Sequence, residues 1–323
     1  MNPNKKNKKI LWTVPRSFLP VSDGASKANK SLLATFRDLE IFHQFDVTLL
    51  LFLDEEDFNT ERLTELESLY KREFKINSVK FAKKKTLSRS FKRVFQVLLN
   101  FLSKDALTAG FFNLKENQSK LKNLAKDGYD FVLFDGLHPY CGLRKIFGQS
   151  ELIYRSHNVE YELWKGADAN FLTRFLFNYQ GNKIKKLESY LIKKARKTWT
   201  ISQEDKDTYL KEMKSEIFFL PMAQEFQSLR SREFENGDKK PFVFVGKLDW
   251  HPNTEGLFWL LDKVVPLLDT SVKIKIVGKG NFPKSNYEHL KNVEFVGFVD
   301  DLAEFYNSCE ASLIPIFSGS GTR

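Results

Sequence analysis

The sequence predicts an α/β protein of two domains, each built on a parallel sheet, with the second domain incomplete. Three observations point there. Apolar runs of strand length alternate with amphipathic stretches of helix length along the chain. A polar, charged stretch over residues 227–241, carrying Gly237 and ending at Pro241, divides two such series and reads as an interdomain linker. The 323 residues are too many for one ordinary α/β domain and enough for two. The expected division is 1–226, linker 227–241, and 242–323.

The elements follow in order. Ile10–Val14 is a first strand, leading through a loop from Pro15 to Gly24 into a helix over Ser26–Phe42 with Leu32, Leu33, Phe36 and Leu39 on one face. Asp46–Leu53 is a continuous apolar run, as expected of a strand buried on both faces. This strand–loop–helix–strand unit opens a doubly wound sheet. Residues 60–125 read as mostly helical and very basic. Asp130–Phe134 and Leu152–Tyr154 are two more buried strands, with Asp135–Pro139 as a strand-end loop. A helical pattern spans Tyr161–Lys197 and a short strand spans Lys197–Ile201. Ser202 then caps a helix beginning near Glu204, and Ile217–Leu220 closes the first domain. The second domain starts with a strand at Phe242–Gly246 and a helix over Thr254–Leu268. Strands at Val272–Val277 and Val293–Val296 follow, then a helix capped by Asp300 and a last strand at Ala311–Pro315. A glycine loop, Phe317–Arg323, ends the chain with no helix after it, where a doubly wound half-sheet normally continues. Both domains are therefore expected to be Rossmann-like, the second one cut short.

Composition narrows the function classes. Hydrophobic residues make up 42% of the chain, enough for packed cores, so global disorder is excluded. A net charge of +10 suits an anionic partner, and phosphate, nucleic acid and anionic lipid all carry that sign. Nucleic acid is disfavoured because neither aromatic platforms nor a recognition helix can be read from the sequence. Cys141 and Cys309 stand alone, which excludes a disulfide framework or a paired-cysteine metal site and fits a reducing compartment. The basic N-terminus is followed by an apolar stretch too short for a signal peptide, and no run approaches bilayer-spanning length. A cytoplasmic protein is expected.

Ligands of open α/β sheets bind at the carboxyl ends of the strands. In the second domain glycines recur there: Gly246, Gly278 with Gly280, Gly297, then Gly319 and Gly321. Each permits close backbone approach, and the last loop offers N–H groups to a phosphate. Lys247 and Arg323 add two cations able to hold a diphosphate and to stabilise charge growing as a sugar leaves it. Gly278-Lys-Gly280 is not a dinucleotide fingerprint.

These residues carry a resemblance. Phe242-Val-Phe-Val-Gly-Lys-Leu-Asp-Trp-His-Pro-Asn253, Ile276-Val-Gly-Lys-Gly280, Val296-Gly-Phe298 and the Pro315–Arg323 loop resemble the donor domain of family-4-type retaining glycosyltransferases. Pro20-Val-Ser-Asp-Gly24 and His157-Asn-Val-Glu160 are similar to segments of the same group's first domain. The resemblance implies the GT-B arrangement of two Rossmann-like domains with a nucleotide sugar in the cleft, and no metal requirement. It implies that Lys247 and Arg323 meet the donor diphosphate, that Gly297 and Phe298 border the base, and that His157 faces the transferred sugar. Gly246, Asn253, Gly278, Gly319, Ser320 and Gly321 belong to the same donor-binding set, while Gly24 and Lys27 match a loop near the donor phosphates or acceptor. The family usually carries two glutamates across its final glycine loop and next helix. Ser320 takes the first position and the second lies beyond Arg323, so a chain ending there is expected to bind donor weakly.

Lys80–Lys85 continues through Arg89, Lys92 and Arg93 with Phe91, Val94, Phe95, Val97, Leu98 and Phe101 at helical spacing. Such a basic amphipathic helix suits an anionic membrane surface. The leading expectation is a retaining glycosyltransferase moving a sugar from a nucleotide diphosphate to a glycan or lipid-linked acceptor, in cell-envelope synthesis at the inner membrane face. The alternatives are a non-catalytic basic membrane-surface protein with a degenerate GT-B fold, and a sugar-nucleotide epimerase.

Overall fold

A long apolar run one strand in from the edge of the first sheet sets its layering. In the computed structural model, which describes residues 7–21, 24–84, 109–112, 115–164, 171–213, 215–222 and 240–317, strand β2 (Phe45–Leu53) is buried from Leu49 to Leu53. Alternate residues of β2 enter different cores: Leu50 and Phe52 join one cluster, Leu49, Leu51 and Leu53 the other. Strand β1 (Lys8–Val14) does the same with Leu11 and Trp12. Two helical layers thus cover one sheet, the doubly wound solution for strands apolar on both faces.

The chain divides into two compact units, with the boundary between Gln227 and Ser228. In the first unit β1 leads into helix α1 (Gly24–Asp38), β2, helix α2 (Thr60–Phe74) and strand β3 (Ser78–Lys83). Helices α3 (Ala109–Phe112) and α4 (Lys115–Ala125) precede β4 (Phe131–Asp135) and α5 (Leu137–Leu143). Strand β5 (Glu151–Ser156), helix α6 (Phe171–Lys194), β6 (Lys197–Thr200), α7 (Gln203–Glu212) and β7 (Ile217–Phe219) complete it. All seven strands are parallel in the order β3-β2-β1-β4-β5-β6-β7, so the winding reverses between β1 and β4. The crevice at the carboxyl ends of those two strands is where such sheets bind ligands.

The second unit has β8 (Phe242–Val245), α8 (His251–Trp259), β9 (Ile274–Val277), β10 (Val293–Gly297) and α9 (Leu302–Asn307), with the parallel order β10-β9-β8. Phe244, Leu257, Leu261, Ile274 and Ile276 form its core. Beyond Trp259 the helix widens into a π turn (Leu260–Val264) and ends in a 3-10 turn holding Pro266, which has no N–H to donate.

Several expectations are corrected. Lys80–Lys83 is not the start of a helix: it lies in β3, paired with β2, because Val79 and Phe81 alternate into the core. Lys84 follows the strand with its N–H donating to Leu53 O at 2.8 Å, and the segment from Lys85 onward lies outside the described residues. Asp135 is the last residue of β4 and Leu137 already begins α5, so the expected loop reduces to Gly136. The helix expected to Phe42 stops at Asp38, followed by a 3-10 turn at Glu40–Gln44. Asp301, not Asp300, caps α9, since its carboxylate accepts the Glu304 N–H at 2.9 Å. The last strand shrinks to a bridge between Val243 and Ser312, as Pro315 has no N–H to continue a ladder.

Candidate functional site

Asp135 closes β4 with a wholly buried carboxylate at the sheet's switch point. Trp12 Nε1 of β1 donates to its Oδ2 at 3.0 Å, and Arg155 Nη1 of β5 reaches Oδ1 and Oδ2 at 3.0 and 3.1 Å. His157, just past β5, places Nε2 against Oδ1 of the same carboxylate. Parallel pairing puts Asp135 beside Arg155 in register, so the sheet itself assembles the charge pair. Burial alone pushes the Asp135 carboxyl up. The Arg155 and His157 charges, with hydrogen bonds from His157 and Trp12, outweigh it and hold the group at about 2. An ionised Asp135 accepts, so His157 carries its proton on Nε2 in this arrangement and its ring orientation is fixed.

Helix α1 is tied to the same cluster. Gly24 is its first residue, Lys27 is exposed in the first turn, and buried Asn29 accepts from Arg155 Nη1 at 2.8 Å. The helix start bearing Gly24 and Lys27 and the strand end bearing His157 are thus held by one guanidinium.

Behind the His157–Glu160 tetrad lies a second buried polar cluster. Glu188, in the middle of α6, has Oε1 within 2.8 Å of the Tyr154 hydroxyl and 2.6 Å of the Tyr209 hydroxyl, both donors to it. Burial pushes its carboxyl up, the Glu160 charge adds to this, and the two tyrosine hydrogen bonds oppose it, leaving the group at about 8. Ser156 Oγ lies 2.9 Å from the Tyr209 hydroxyl and donates to the Asn158 carbonyl at 2.6 Å. Glu160 itself is buried, its Oε2 3.6 Å from His138 Nε2 of α5.

In the second unit three adjacent strand ends are stitched together by backbone hydrogen bonds. Gly246 N–H donates to Val277 O (3.0 Å), Leu248 N–H to Lys279 O (2.8 Å) and Gly278 N–H to Gly297 O (2.7 Å). Gly278 has φ +148, and a Cβ there would stand 1.8 Å from Gly246 O, so glycine is required by backbone packing as well as by conformation. Lys247 projects outward with its side chain 72% exposed and Nζ 3.6 Å from Asp249 Oδ1. Asn253, at the start of α8, is buried and donates from Nδ2 to Lys247 O at 2.9 Å, so it braces the loop that presents the lysine. Phe298 is 60% exposed, with Lys279 Nζ 3.8 Å from its ring centroid. Gly319, Ser320, Gly321 and Arg323 lie outside the described residues. The structure thus brings Gly246, Lys247, Asn253, Gly278, Gly297 and Phe298 to one end of the second sheet, and Gly24, Lys27 and His157 to one end of the first.

Sequence reasoning missed Asp135, Arg155, Glu188, His138 and Lys279. A signal existed for the first two: each is a charged residue continuing an apolar strand, and adjacent parallel strands place such ends side by side.

Solved structures share this architecture. The Anabaena protein HepE, solved in complex with UDP and glucose, superposes with a TM-score of 0.53 at 14% identity, over 95% of this chain and 73% of that one. Sucrose-phosphate synthase from Thermosynechococcus elongatus gives 0.58 at 13% identity, over 98% and 77%. The lipopolysaccharide outer core galactosyltransferase WaaB in its apo form gives 0.54 at 12% identity, over 96% and 74%. At these identities the likeness is one of fold, and the fold is that of the GT-B glycosyltransferases. Residues 239–323 also match the family model described as glycosyl transferases group 1. No curated protein sequence matches the chain. No helix among the described residues is long and apolar enough to cross a membrane.

Proposed function

We propose that the protein transfers a sugar from a nucleotide-diphosphate donor to a glycan or lipid-linked acceptor, with retention of anomeric configuration and without a metal ion. The observation that carries this reading is the glycosyl transferase match over residues 239–323, which falls on the stitched strand ends that present Lys247 and Phe298. Lys247 binds the diphosphate and offsets the charge that develops as the bond to the anomeric carbon breaks. Arg323 is the second cation for that group. Phe298, apolar and exposed, borders the base. In the first unit His157, oriented by Asp135, faces the transferred sugar, and the α1 start at Gly24 and Lys27 receives acceptor or phosphate. The acceptor's class and the net charge of +10 suit work at the anionic inner face of a membrane.

The test is an acceptor-dependent transfer assay on the full-length protein with a panel of nucleotide sugars, read by mass spectrometry and by NMR of the anomeric proton. The expected product gains one sugar with the donor's anomeric configuration, equally with and without EDTA. Conversion of donor alone, without acceptor, would replace this reading by an epimerase. Salt-sensitive liposome binding with no turnover of any donor would replace it by a non-catalytic surface protein.

A further inference from the structure

The cluster around Glu188 is costly to bury and has no part in the diphosphate or sugar contacts proposed above. Glu188 is 0% exposed and Tyr154 and Tyr209 are equally buried. Its Oε1 accepts both phenols, whereas Oε2 has no hydrogen-bond partner among the described residues. An apolar residue there, beside buried Ile184, Leu187, Leu191 and Ile192, would avoid the unpaired Oε2 but would strand the two phenol donors. What the carboxyl gains is reach. Three elements converge on its one oxygen: α6 supplies it, β5 supplies Tyr154, and α7 supplies Tyr209.

From there the connection runs to the tetrad. The Tyr209 hydroxyl proton is shared between Glu188 Oε1 at 2.6 Å and the Asn158 carbonyl at 3.2 Å, and Ser156 Oγ, packed 2.9 Å from that hydroxyl, donates to the same carbonyl. The Glu160 N–H points back to Glu188 Oε1 at 3.5 Å. The residues on either side of His157, and the last of the tetrad, are therefore fixed from beneath, while Asp135 holds the imidazole from the side. A histidine on a loop keeps a productive orientation only if its backbone is held as well as its ring.

We infer that Glu188 is a positioning residue for His157, acting through Tyr209, Ser156 and the Asn158 carbonyl to fix the backbone from which the imidazole projects. This rests on the reading of His157 as a residue that meets the sugar. Glu188 touches no substrate. Its contribution is to place a residue that does.

The experiment uses the full-length protein with Glu188→Met, Glu188→Gln and Tyr209→Phe, followed by transfer kinetics and by NMR of the His157 imidazole, assigned by its loss in His157→Ala. Glu188→Met is expected to lower kcat at least tenfold with donor KM within twofold of wild type, and to shift and broaden the His157 ring signals. Glu188→Gln keeps an oxygen for both phenols and is expected to recover at least half of kcat and the native ring signals. If Glu188→Met does not fold, Tyr209→Phe, which removes one hydroxyl, is expected to lower kcat at least threefold and to move the same signals. Unchanged His157 signals in Glu188→Met, or in Tyr209→Phe where that variant alone folds, overturn the inference even if activity falls. Should the wild type transfer no sugar, the proposed function fails, and the imidazole spectra still decide whether Glu188 positions His157.

Discussion

Replacing Asp135 by Asn keeps the side chain's shape and removes its charge, and the structure allows the consequence to be worked out. Arg155 is 1% exposed and its other acceptor is the neutral amide of Asn29. In Asp135→Asn the guanidinium stays buried without a counter-ion, a change that costs about 3–5 kcal/mol when one partner of a buried pair is removed. Part of this has an independent signature. A carboxyl held at about 2 in the folded protein instead of its ordinary 3.8 contributes about 2 kcal/mol to folding at neutral pH. Because the folded value is the lower one, that contribution is complete above about pH 4 and is lost as the pH falls towards 2. Urea denaturation followed by circular dichroism at pH 7, and again between pH 5 and 2, reads both effects. The variant is expected to lose about 3–5 kcal/mol at pH 7 and to lack the wild type's decline below pH 4. Adding Arg155→Met, which removes the stranded cation, is expected to restore at least about 1 kcal/mol. Equal midpoints for wild type and Asp135→Asn at pH 7 would refute the claim that this carboxylate neutralises a buried arginine.

Two further outcomes follow from the same kind of reasoning. Glu188, at about 8 against an ordinary 4.5, is faced by Tyr154 from β5, Tyr209 from α7 and Glu160 from the tetrad, with His138 beyond Glu160. Its folded value is raised, so its contribution is complete below about pH 4.5 and is lost as the pH rises to 8, with a slope of up to about 1.4 kcal/mol per pH unit. Chemical denaturation across that window is expected to show a flatter profile in Glu188→Gln, and an unchanged slope contradicts the assignment. Gly280 has φ +134, and a Cβ there would lie 2.6 Å from the Asp249 backbone nitrogen. Gly280→Ala is expected to destabilise the second unit by about 1–3 kcal/mol in thermal unfolding, with a native Tm as the refuting result.

Much of the fold is legible in the sequence because burial on both faces leaves apolar runs, as in Asp46–Leu53, whose residues Leu49–Leu53 are all buried, and because caps act locally. Ser202 accepts the Asp205 N–H at 3.0 Å, as its position before a helix suggests. Where the deciding interaction is tertiary, the sequence is silent. Strand β3 is short and half polar, and only its pairing with β2 separates it from the start of a basic helix. Asp300 and Asp301 are equal candidates as a cap until one carboxylate is seen to reach Glu304. The strand-end glycines illustrate a mixed outcome: their clustering was readable, but Gly278 is required by the carbonyl of Gly246. Asp135, Arg155 and Glu188 escaped because a charged residue in a strand or mid-helix normally reads as solvated. Their partners come from elements 20 to 126 residues away in the chain.

The central claim, that the carboxyl ends of β8, β9 and β10 hold a donor diphosphate beside Lys247, is tested most directly by isothermal titration of the full-length protein with a panel of nucleoside diphosphates, against Lys247→Ala. Saturable binding of at least one nucleotide is predicted, weakened roughly tenfold to a hundredfold in the variant by loss of about 1.5–3 kcal/mol of charge-assisted hydrogen bonding. Binding of equal strength in both proteins would contradict the role given to Lys247, and the absence of binding by any nucleoside diphosphate would contradict the donor site itself.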